Sequence, residues 1–331
     1  MDRILLGHGS GGKLMHELIR EHFGPSFGIE GYGDSAILSL DQRKLAFTTD
    51  SYVVSPLFFP GGNIGELAVY GTVNDLAVSG AEPRFLTAGF IIEEGFSIEQ
   101  LKSILESMSR AAANAGVRIV AGDTKVVNKG KGDGLFINTA GIGIPMEGIE
   151  ISPANIRVGD KILINGEVGN HGVAVMAERN GITFAPPVVS DTRPLNSLVK
   201  SMCEFTKDIH FMRDPTRGGV ATTLKEVALE SGKCIRVKEG SLPVAHQVKG
   251  ACDLLGLDPL YVANEGALIA VVASEVADPL AAAMRQHPYA AQTRIIGEVQ
   301  GSPEGMVFLE TLIGGTRIID MLQGEQLPRI C

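Results

Sequence analysis

Apolar residues along the first half of the chain follow two alternating patterns. Short, β-rich apolar runs predict strands at Leu45–Thr49, Phe85–Ile92, Val117–Ala121 and Leu135–Ile144. Between them, apolar residues at helical spacing predict helices at Ile64–Ser79 and Ile98–Ala115. Ser97 is suited to cap the start of the second helix, and Gly116 to end it.

The alternation stops at a Pro- and Gly-rich stretch, residues 145–159, and then restarts. Beyond it the pattern predicts strands at Lys161–Asn165 and Ala267–Ala273, and helices at His171–Arg179, Gly218–Glu230 and Val276–Gln286. Alternating strands and helices are typical of α/β proteins. The sequence therefore predicts two domains, residues 1–150 and 151–323, followed by a flexible tail at 324–331.

Composition narrows the class of protein. The 331 residues are 44% hydrophobic but only 5% aromatic, with no Trp, which predicts aliphatic cores. The net charge of −9 argues against non-specific binding to nucleic acid or to an anionic membrane surface. An anionic substrate is still compatible, because a divalent metal can bridge acidic side chains to phosphate. No signal peptide and no apolar run of about 20 residues is found, so we expect a cytoplasmic protein.

Four aspartates of the first half recur in comparable settings: Asp34, Asp50, Asp75 and Asp123. Asp50 and Asp123 each follow a predicted strand, and Asp75 interrupts an apolar helix, where a lone carboxylate is costly. Taken singly, each is more often a turn or cap residue. Oxygen ligands from several loops are what Mg²⁺ takes when it also carries phosphates. The four together predict a shared site for Mg²⁺ and a nucleotide.

Glycine-rich segments offer two further anion sites. Residues 7–13 match the spacing of a P-loop, but Leu14 stands where that motif needs Ser or Thr. We expect a flexible flap whose amides and Lys13 approach an anion, the alternative being a mobile terminus. In the second half, Gly218 and Gly219 open an apolar helix, where bare amides can face an anion. The alternative is an ordinary helix start capped by Thr216 or Asp214.

Three kinds of side chain remain as chemical candidates. Glu265 lies between Asn264 and Gly266 before an apolar strand, so it is a base, a metal ligand or a turn residue. The seven histidines form no metal-spaced pair, and only His8 and His171 are weak site candidates. The cysteines Cys203, Cys234 and Cys252 fit no zinc signature and are expected to be buried thiols.

The fourth cysteine, Cys331, is the last residue. Gly324 and Pro328 disfavour helix, and the tail holds little apolar material to anchor it. Extended at about 3.3 Å per residue, the tail reaches about 26 Å, so its thiol can visit a distant site. The alternative is a frayed terminus that happens to end in cysteine.

Several short motifs occur together along the chain: His-Gly-Ser-Gly-Gly at 8–12, Thr-Thr-Asp-Ser-Tyr-Val at 48–53, Phe-Phe-Pro-Gly-Gly-Asn at 58–63, Val-Asn-Asp at 73–75, Gly-Asp-Thr-Lys-Val-Val at 122–127, Thr-Arg-Gly-Gly at 216–219, Asn-Glu-Gly at 264–266 and Pro-Arg-Ile-Cys at 328–331. The combination resembles the HypE family of hydrogenase maturation factors from end to end. That family belongs to a superfamily with aminoimidazole ribonucleotide synthetase, selenophosphate synthetase and thiamine-monophosphate kinase.

The resemblance implies a fold, a reaction and partners. The fold is a two-domain, aminoimidazole-ribonucleotide-synthetase-like α/β (α+β) structure, paired as a homodimer through its N-terminal sheets and binding ATP with Mg²⁺. The carbamoyltransferase HypF would place a carboxamide on the terminal cysteine sulfur, and ATP would drive its dehydration to a thiocyanate. The cyano group would then pass to iron on a HypC–HypD scaffold, towards the Fe(CN)₂CO unit of [NiFe]-hydrogenase.

Matching residues receive roles from the resemblance. Cys331 would carry the substrate, Glu265 would accept its proton, and Lys125 would stabilise phosphoryl charge or position the amide. Metal or phosphate would be bound by Asp34, Asp50, Asp75, Asp123, Thr216, Gly218, Gly219 and Lys13. Two alternatives stay open: a superfamily enzyme that acts on a free metabolite, and a non-catalytic assembly protein whose thiol only docks or carries a ligand.

Overall fold

The structure, a computed structural model, describes residues 12–18, 20–21, 36–40, 43–322, 327 and 329–331. Its α-helices are α1 Lys13–Leu18, α2 Ile64–Val78, α3 Ile98–Ala115, α4 Asn170–Asn180, α5 Asn196–Phe205, α6 Gly219–Ser231, α7 His246–Leu255 and α8 Ser274–Met284. Its strands are β1 Ala36–Leu40, β2 Arg43–Tyr52, β3 Phe58–Phe59, β4 Gly62–Asn63, β5 Ala81–Glu93, β6 Arg118–Val127, β7 Leu135–Pro145, β8 Lys161–Ile164, β9 Ile209–Arg213, β10 Cys234–Lys238, β11 Ile269–Val272, β12 Arg294–Gln300, β13 Val307–Glu310 and β14 Thr316–Ile319.

The first half forms a five-stranded sheet in the order β1-β2-β7-β5-β6. Its strands are antiparallel except for the parallel pair β5–β6, which α3 connects. Helices α2 and α3 pack on one face of this sheet. Helix α2 is apolar all round because its other side packs against α5 of the second half.

The second half forms a seven-stranded sheet in the order β14-β13-β10-β12-β8-β11-β9. Only β10–β13 is parallel. Helix α6 covers one face of this sheet, and α5 and α8 cover the other. The interior strand β11, between β8 and β9, is buried along its whole length, which explains its continuous apolar run. The part of the chain that the structure describes contains no helix able to cross a membrane.

Helix limits follow the sequence where caps mark them. Helix α3 begins after Ser97, whose hydroxyl accepts the Gln100 N–H at 3.4 Å, and ends at Gly116 in the left-handed conformation. Strands β2 and β6 are longer than predicted, because their pairing with β7 and β5 continues to Tyr52 and Val127. Asp50 and Asp123 therefore lie within strands and not in the loops that follow them.

The face of the first sheet opposite α2 and α3 carries exposed apolar side chains. Cross-strand register places Phe47, Ile142 and Phe85 side by side on this outer face. Ile91 and Ile144 extend the same row, and each of these five side chains is exposed. An apolar patch of this kind marks an interaction surface.

Candidate active site at the docked carboxyl terminus

The end of the chain is buried inside the molecule. Cys331 is only 8% exposed and Ile330 only 4%. The Val53 N–H donates to the Cys331 carbonyl oxygen at 3.1 Å, and the Ser55 N–H donates to the Arg329 oxygen at 3.1 Å. The last three residues thus run alongside the segment that follows β2, in the manner of an added strand.

The expectation that the tail lacks apolar anchors was wrong. Ile330 lies within the core formed by β2, α2 and α3, and Leu327 packs against that core and against α4. Ile330 and Leu327 are enough to anchor the tail, because the cavity that receives them is lined by buried apolar residues.

Several charged groups lie near the Cys331 thiol, of which Glu265 and Asp214 are buried. Burial raises the pKa of this thiol to about 12, with Arg217 opposing and Glu265, Asp50 and Asp214 adding to the rise. The docked thiol is therefore protonated at neutral pH. A thiol in this state is a poor nucleophile, although a group carried on its sulfur would face Arg217 and Glu265.

Glu265 is a buried carboxyl with unusual proton affinity. The backbone N–H of Glu265 donates to Asp191 Oδ1 at 3.1 Å, so this contact does not use the Glu265 carboxyl group. Among the described residues, no hydrogen-bond partner reaches Glu265 Oε1. Burial first, then the nearby charges of Asp214 and Asp191, raise the pKa of this carboxyl well above its usual value. Once ionised, it is a strong proton acceptor inside a closed site.

Asp50, Asp75 and Arg217, together with Glu265, form the polar wall of the site. A guanidinium nitrogen of Arg217 lies 3.8 Å from Asp50 Oδ1, and Cys331 raises the pKa of this arginine. The Thr48 hydroxyl donates to Asp75 Oδ2 at 2.9 Å. Asp50 and Asp75 both raise the pKa of the buried Tyr52 hydroxyl, after burial itself, so both lie near this side chain. Asp50 and Asp75 lie on the helix-covered side of the first sheet, and Arg217 reaches Asp50 from the second half of the chain.

Asp123 and Lys125 lie on the other side of that sheet. Asp50 is in register with Thr139 and Ala88 on the buried face, whereas Asp123 is in register with Gly89 and hence with the exposed Asn138. Three strand spacings, about 14 Å, also separate β2 from β6. A single chain therefore does not bring Asp123 to Asp50. Lys125 Nζ instead pairs with Asp123 at 2.8 Å, both side chains being 70% exposed.

Thr216, Gly218 and Gly219 form the start of α6 next to Arg217. The alternative, an ordinary helix start capped by Thr216 or Asp214, is not found, because the N-cap is Gly218, which has no side chain to bond the first amides. Both glycines have positive φ, and a Cβ on Gly219 would lie 2.5 Å from the Leu260 carbonyl oxygen. The positive φ values and this close packing account for the glycine pair. The Gly219 N–H already donates to the Thr216 oxygen at 3.0 Å, so an anion at this helix start would use the neighbouring amides.

The remaining predicted residues belong to the N-terminal part of the chain. Lys13 begins α1, where its exposed ammonium pairs with Glu17 at 3.7 Å and its N–H donates to the Leu322 oxygen at 3.2 Å. Asp34 and residues 7–11 of the glycine-rich segment lie outside the described residues.

His171 and Arg179 on α4 hold the tail, and the sequence marked only His171, weakly. His171 Nε2–H donates to the Ile330 oxygen at 2.8 Å, while Nδ1 accepts from the Ser190 hydroxyl at 2.8 Å. Burial lowers the pKa of His171, which keeps it neutral. Arg179 donates to the oxygens of Ser55 at 2.7 Å and Arg329 at 2.8 Å. His171 and Arg179 bind the tail through its backbone carbonyls, which every residue carries. No local sequence motif could therefore have revealed these contacts.

Two family models match the chain: AIR synthase related protein, N-terminal domain, over residues 32–145, and AIR synthase related protein, C-terminal domain, over residues 157–310. The chain thus belongs to the AIR synthase related proteins. It is 51% identical over 330 residues to carbamoyl dehydratase HypE of Bradyrhizobium diazoefficiens, covering 98% of this chain and 95% of that protein.

Solved structures agree with the sequence relatives. The HypE–HypF complex matches with a TM-score of 0.87 at 48% identity, covering 92% of this chain and 99% of that one. The hydrogenase maturation protein HypE in complex with ATP matches with a TM-score of 0.85 at 46% identity, covering 99% and 100%. The chain is a member of the HypE family of carbamoyl dehydratases, which confirms the family and the two-domain fold predicted above.

Proposed function

We propose that this protein dehydrates a carboxamide carried on its own Cys331 sulfur to a thiocyanate, using ATP, for the cyanide ligands of a [NiFe]-hydrogenase. The observation that carries this proposal is the docked terminus, which buries the thiol within electrostatic reach of Arg217 and Glu265. Relatives at 51% and 50% identity are carbamoyl dehydratases, and a HypE structure contains ATP. A free-metabolite enzyme would have no use for a buried terminal thiol.

The reaction needs an activated oxygen, because an amide oxygen is a poor leaving group. In the first step that oxygen attacks the γ-phosphorus of ATP, the bond to the ADP oxygen breaks, and nitrogen loses one proton. In the second step the carbon–oxygen bond breaks, phosphate leaves, and nitrogen loses its remaining proton to form the carbon–nitrogen triple bond. The sum converts carboxamide and ATP to thiocyanate, ADP, hydrogen phosphate and one released proton, since one of the two nitrogen protons ends on phosphate.

Named side chains suit these steps. Glu265 accepts a proton from nitrogen, since its buried carboxylate has a raised pKa. Arg217 lies beside the same sulfur and stabilises negative charge on the phosphoryl group. The buried surroundings exclude water, which would otherwise compete with the amide oxygen for ATP. The Gly218 amide offers a further donor to phosphate, whereas the Gly219 N–H already donates to the Thr216 oxygen at 3.0 Å.

A magnesium nucleotide fits the donors present. Mg²⁺ prefers oxygen ligands and is commonly held by one or two carboxylates together with substrate phosphates. Asp50 and Asp75 would hold the ion, which would neutralise charge on the triphosphate. Within the described residues no group of three or more acidic, His or Cys side chains is placed to hold a metal by itself. This agrees with an ion that arrives with ATP.

Transfer onto and off the sulfur belongs to other proteins. The docked thiol has a pKa of about 12, so the tail leaves the site before its thiolate attacks a carbamoyl donor. We assign the loading to a HypF carbamoyltransferase and the unloading to an iron scaffold of the HypC–HypD kind. A HypE–HypF complex supports the first assignment.

Two copies of the chain would pair through the outer face of the first sheet. Phe47, Phe85, Ile91, Ile142 and Ile144 form the exposed apolar patch there. Asp123 and Lys125 lie on the same face, so pairing would enclose them in the interface. In this arrangement Lys125 acts within an assembled dimer, and its role in phosphoryl stabilisation stays a prediction.

Replacing Phe85 with Glu should convert this dimer to monomer, because a carboxylate would enter the apolar patch in both copies. Light scattering after size-exclusion chromatography measures the mass. The control is Ile313→Glu, which introduces the same charge at a side chain 95% exposed in the β13–β14 turn. A Phe85→Glu protein that keeps the wild-type mass would rule out pairing through this face.

Intact mass spectrometry tests the reaction itself. We expect incubation with HypF, carbamoyl phosphate and ATP to add one carboxamide to the chain, followed by loss of one water. To separate loading from dehydration, the loaded protein is repurified and divided between buffers with and without Mg-ATP. Loss of water without nucleotide, or none with it, contradicts the proposed function.

The raised pKa of Cys331 predicts a pH-dependent tail. Its pKa is about 12 when docked and near 9.0 in the ordinary state, so docking is fully favoured below about pH 9 and weakens above it. Alkylation of a peptide of the last eight residues should level off once its thiol ionises. Alkylation of Cys331 in the protein should keep rising beyond that point, as measured by intact mass at successive pH values. Parallel pH profiles for peptide and protein would contradict the docked environment.

A further inference from the structure

Among the described residues of the tail, Arg329 makes the most polar contacts. Its Nε–H donates to the Val53 oxygen at 3.0 Å, and its guanidinium carbon lies 6.0 Å from the centre of the Phe136 ring. The same guanidinium forms an ion pair with Asp133. Its backbone adopts a positive φ of 53°, which a non-glycine residue adopts only when its surroundings impose it.

Asp133 belongs to the turn between β6 and β7, residues 128–134, and this turn is held in one shape. The Glu93 carboxylate accepts the Gly130 N–H at 2.6 Å and the Gly134 N–H at 3.1 Å. The Glu93 N–H donates back to the Gly134 oxygen at 2.8 Å. The turn thus presents Asp133 as a preformed acceptor before the tail arrives.

We propose that Asp133 is a positioning residue that recognises Arg329 and thereby sets the register of the tail. The pair fixes Arg329 opposite Ser55, and the residue two positions later then lies opposite Val53, whose N–H it accepts. That residue is Cys331. A shift by one residue would turn the thiol away from Arg217 and bring the Ile330 side chain towards the polar wall.

This role rests on the proposed function, since it matters for catalysis only if the sulfur carries the substrate. It also explains why the tail has Arg two residues before its cysteine. Arg179 and His171 bind backbone oxygens of the tail, which any residue can offer. The Asp133 carboxylate contacts a charged side chain, so it supplies selection by sequence.

Alkylation of Cys331 by iodoacetamide, without ATP or partner proteins, tests the proposal. We expect Asp133→Asn to raise the rate roughly fivefold, the size of effect typical of a partly exposed ion pair. The matched control is Lys131→Gln, which removes one charge from the same turn and should react at the wild-type rate. Buried Cys203 and Cys252 report on the fold, because global destabilisation would label them as well.

A double-mutant cycle separates recognition from simple loosening. Adding Asp133→Asn to Arg329→Ala should produce no further increase, because the partner is already gone. Equal rates for Asp133→Asn and Lys131→Gln, or fully additive effects in the cycle, would overturn the proposal. The alkylation rate reports docking whether or not the tail is a substrate, so failure here is distinct from failure of the dehydration assay.

Discussion

Glu265→Gln should slow dehydration of the loaded protein about 10²- to 10³-fold while leaving carbamoylation of Cys331 intact. The substitution keeps the shape of the side chain and removes its ability to accept a proton. Its backbone contacts with Asp191 and Asn74 are unaffected, because they use the N–H and the carbonyl oxygen. Loss of function would therefore report chemistry and not misplacement.

Single-turnover kinetics on loaded, repurified protein measures this effect, with loss of water followed by mass. Glu304→Gln is the matched control, because it makes the same change at an exposed position beyond β12. Dehydration of the Glu265→Gln protein at the wild-type rate would remove Glu265 from the mechanism and leave the remaining site to explain proton transfer.

Cys331→Ser should abolish both mass changes. A serine hydroxyl occupies nearly the same volume, so the tail can still dock through Arg329 and Ile330. The hydroxyl is far less acidic than a thiol, however, and is not activated to attack a carbamoyl donor. Because no carboxamide is then loaded, there is no substrate oxygen for the phosphoryl group of ATP.

Cys252→Ser is the control for this experiment, since that thiol is also buried and free but lies on α7. Its intact mass after the reaction should show the same carboxamide and the same loss of water as the unmodified chain. Loading of the Cys331→Ser protein would place the acceptor on another residue.

Local patterns predicted the main helices and strands of the first half, but in the second half they missed α5, α7 and the strands β9, β10, β12, β13 and β14. Apolar spacing predicted α2 and α3 to within one residue, because caps at Ser97 and Gly116 mark the ends of α3. The sheets could be expected as α/β, but which strands pair is decided by contacts far apart in sequence. The extent of β2 and β6 depends on such pairing, and with it the location of Asp50 and Asp123.

The sequence identified which residues form the candidate site better than it predicted where they lie in the fold. Glu265 and Cys331 were named from their motifs, and the structure brings them together from chain positions 66 residues apart. The aspartates were expected in one cluster, but strand alternation puts Asp123 on the opposite face from Asp50. Arg179 gave no signal, because it contacts carbonyl oxygens that every residue carries.

The docking of the last three residues into their own chain has a kinetic consequence. A substrate tethered to its active site is presented at an effective concentration that dilution does not change. Conversion of the loaded chain is then a first-order event, as fast in a sparse solution as in a dense one. Only the encounters before and after it, with the carbamoyl donor and with the iron acceptor, depend on how much of each protein is present.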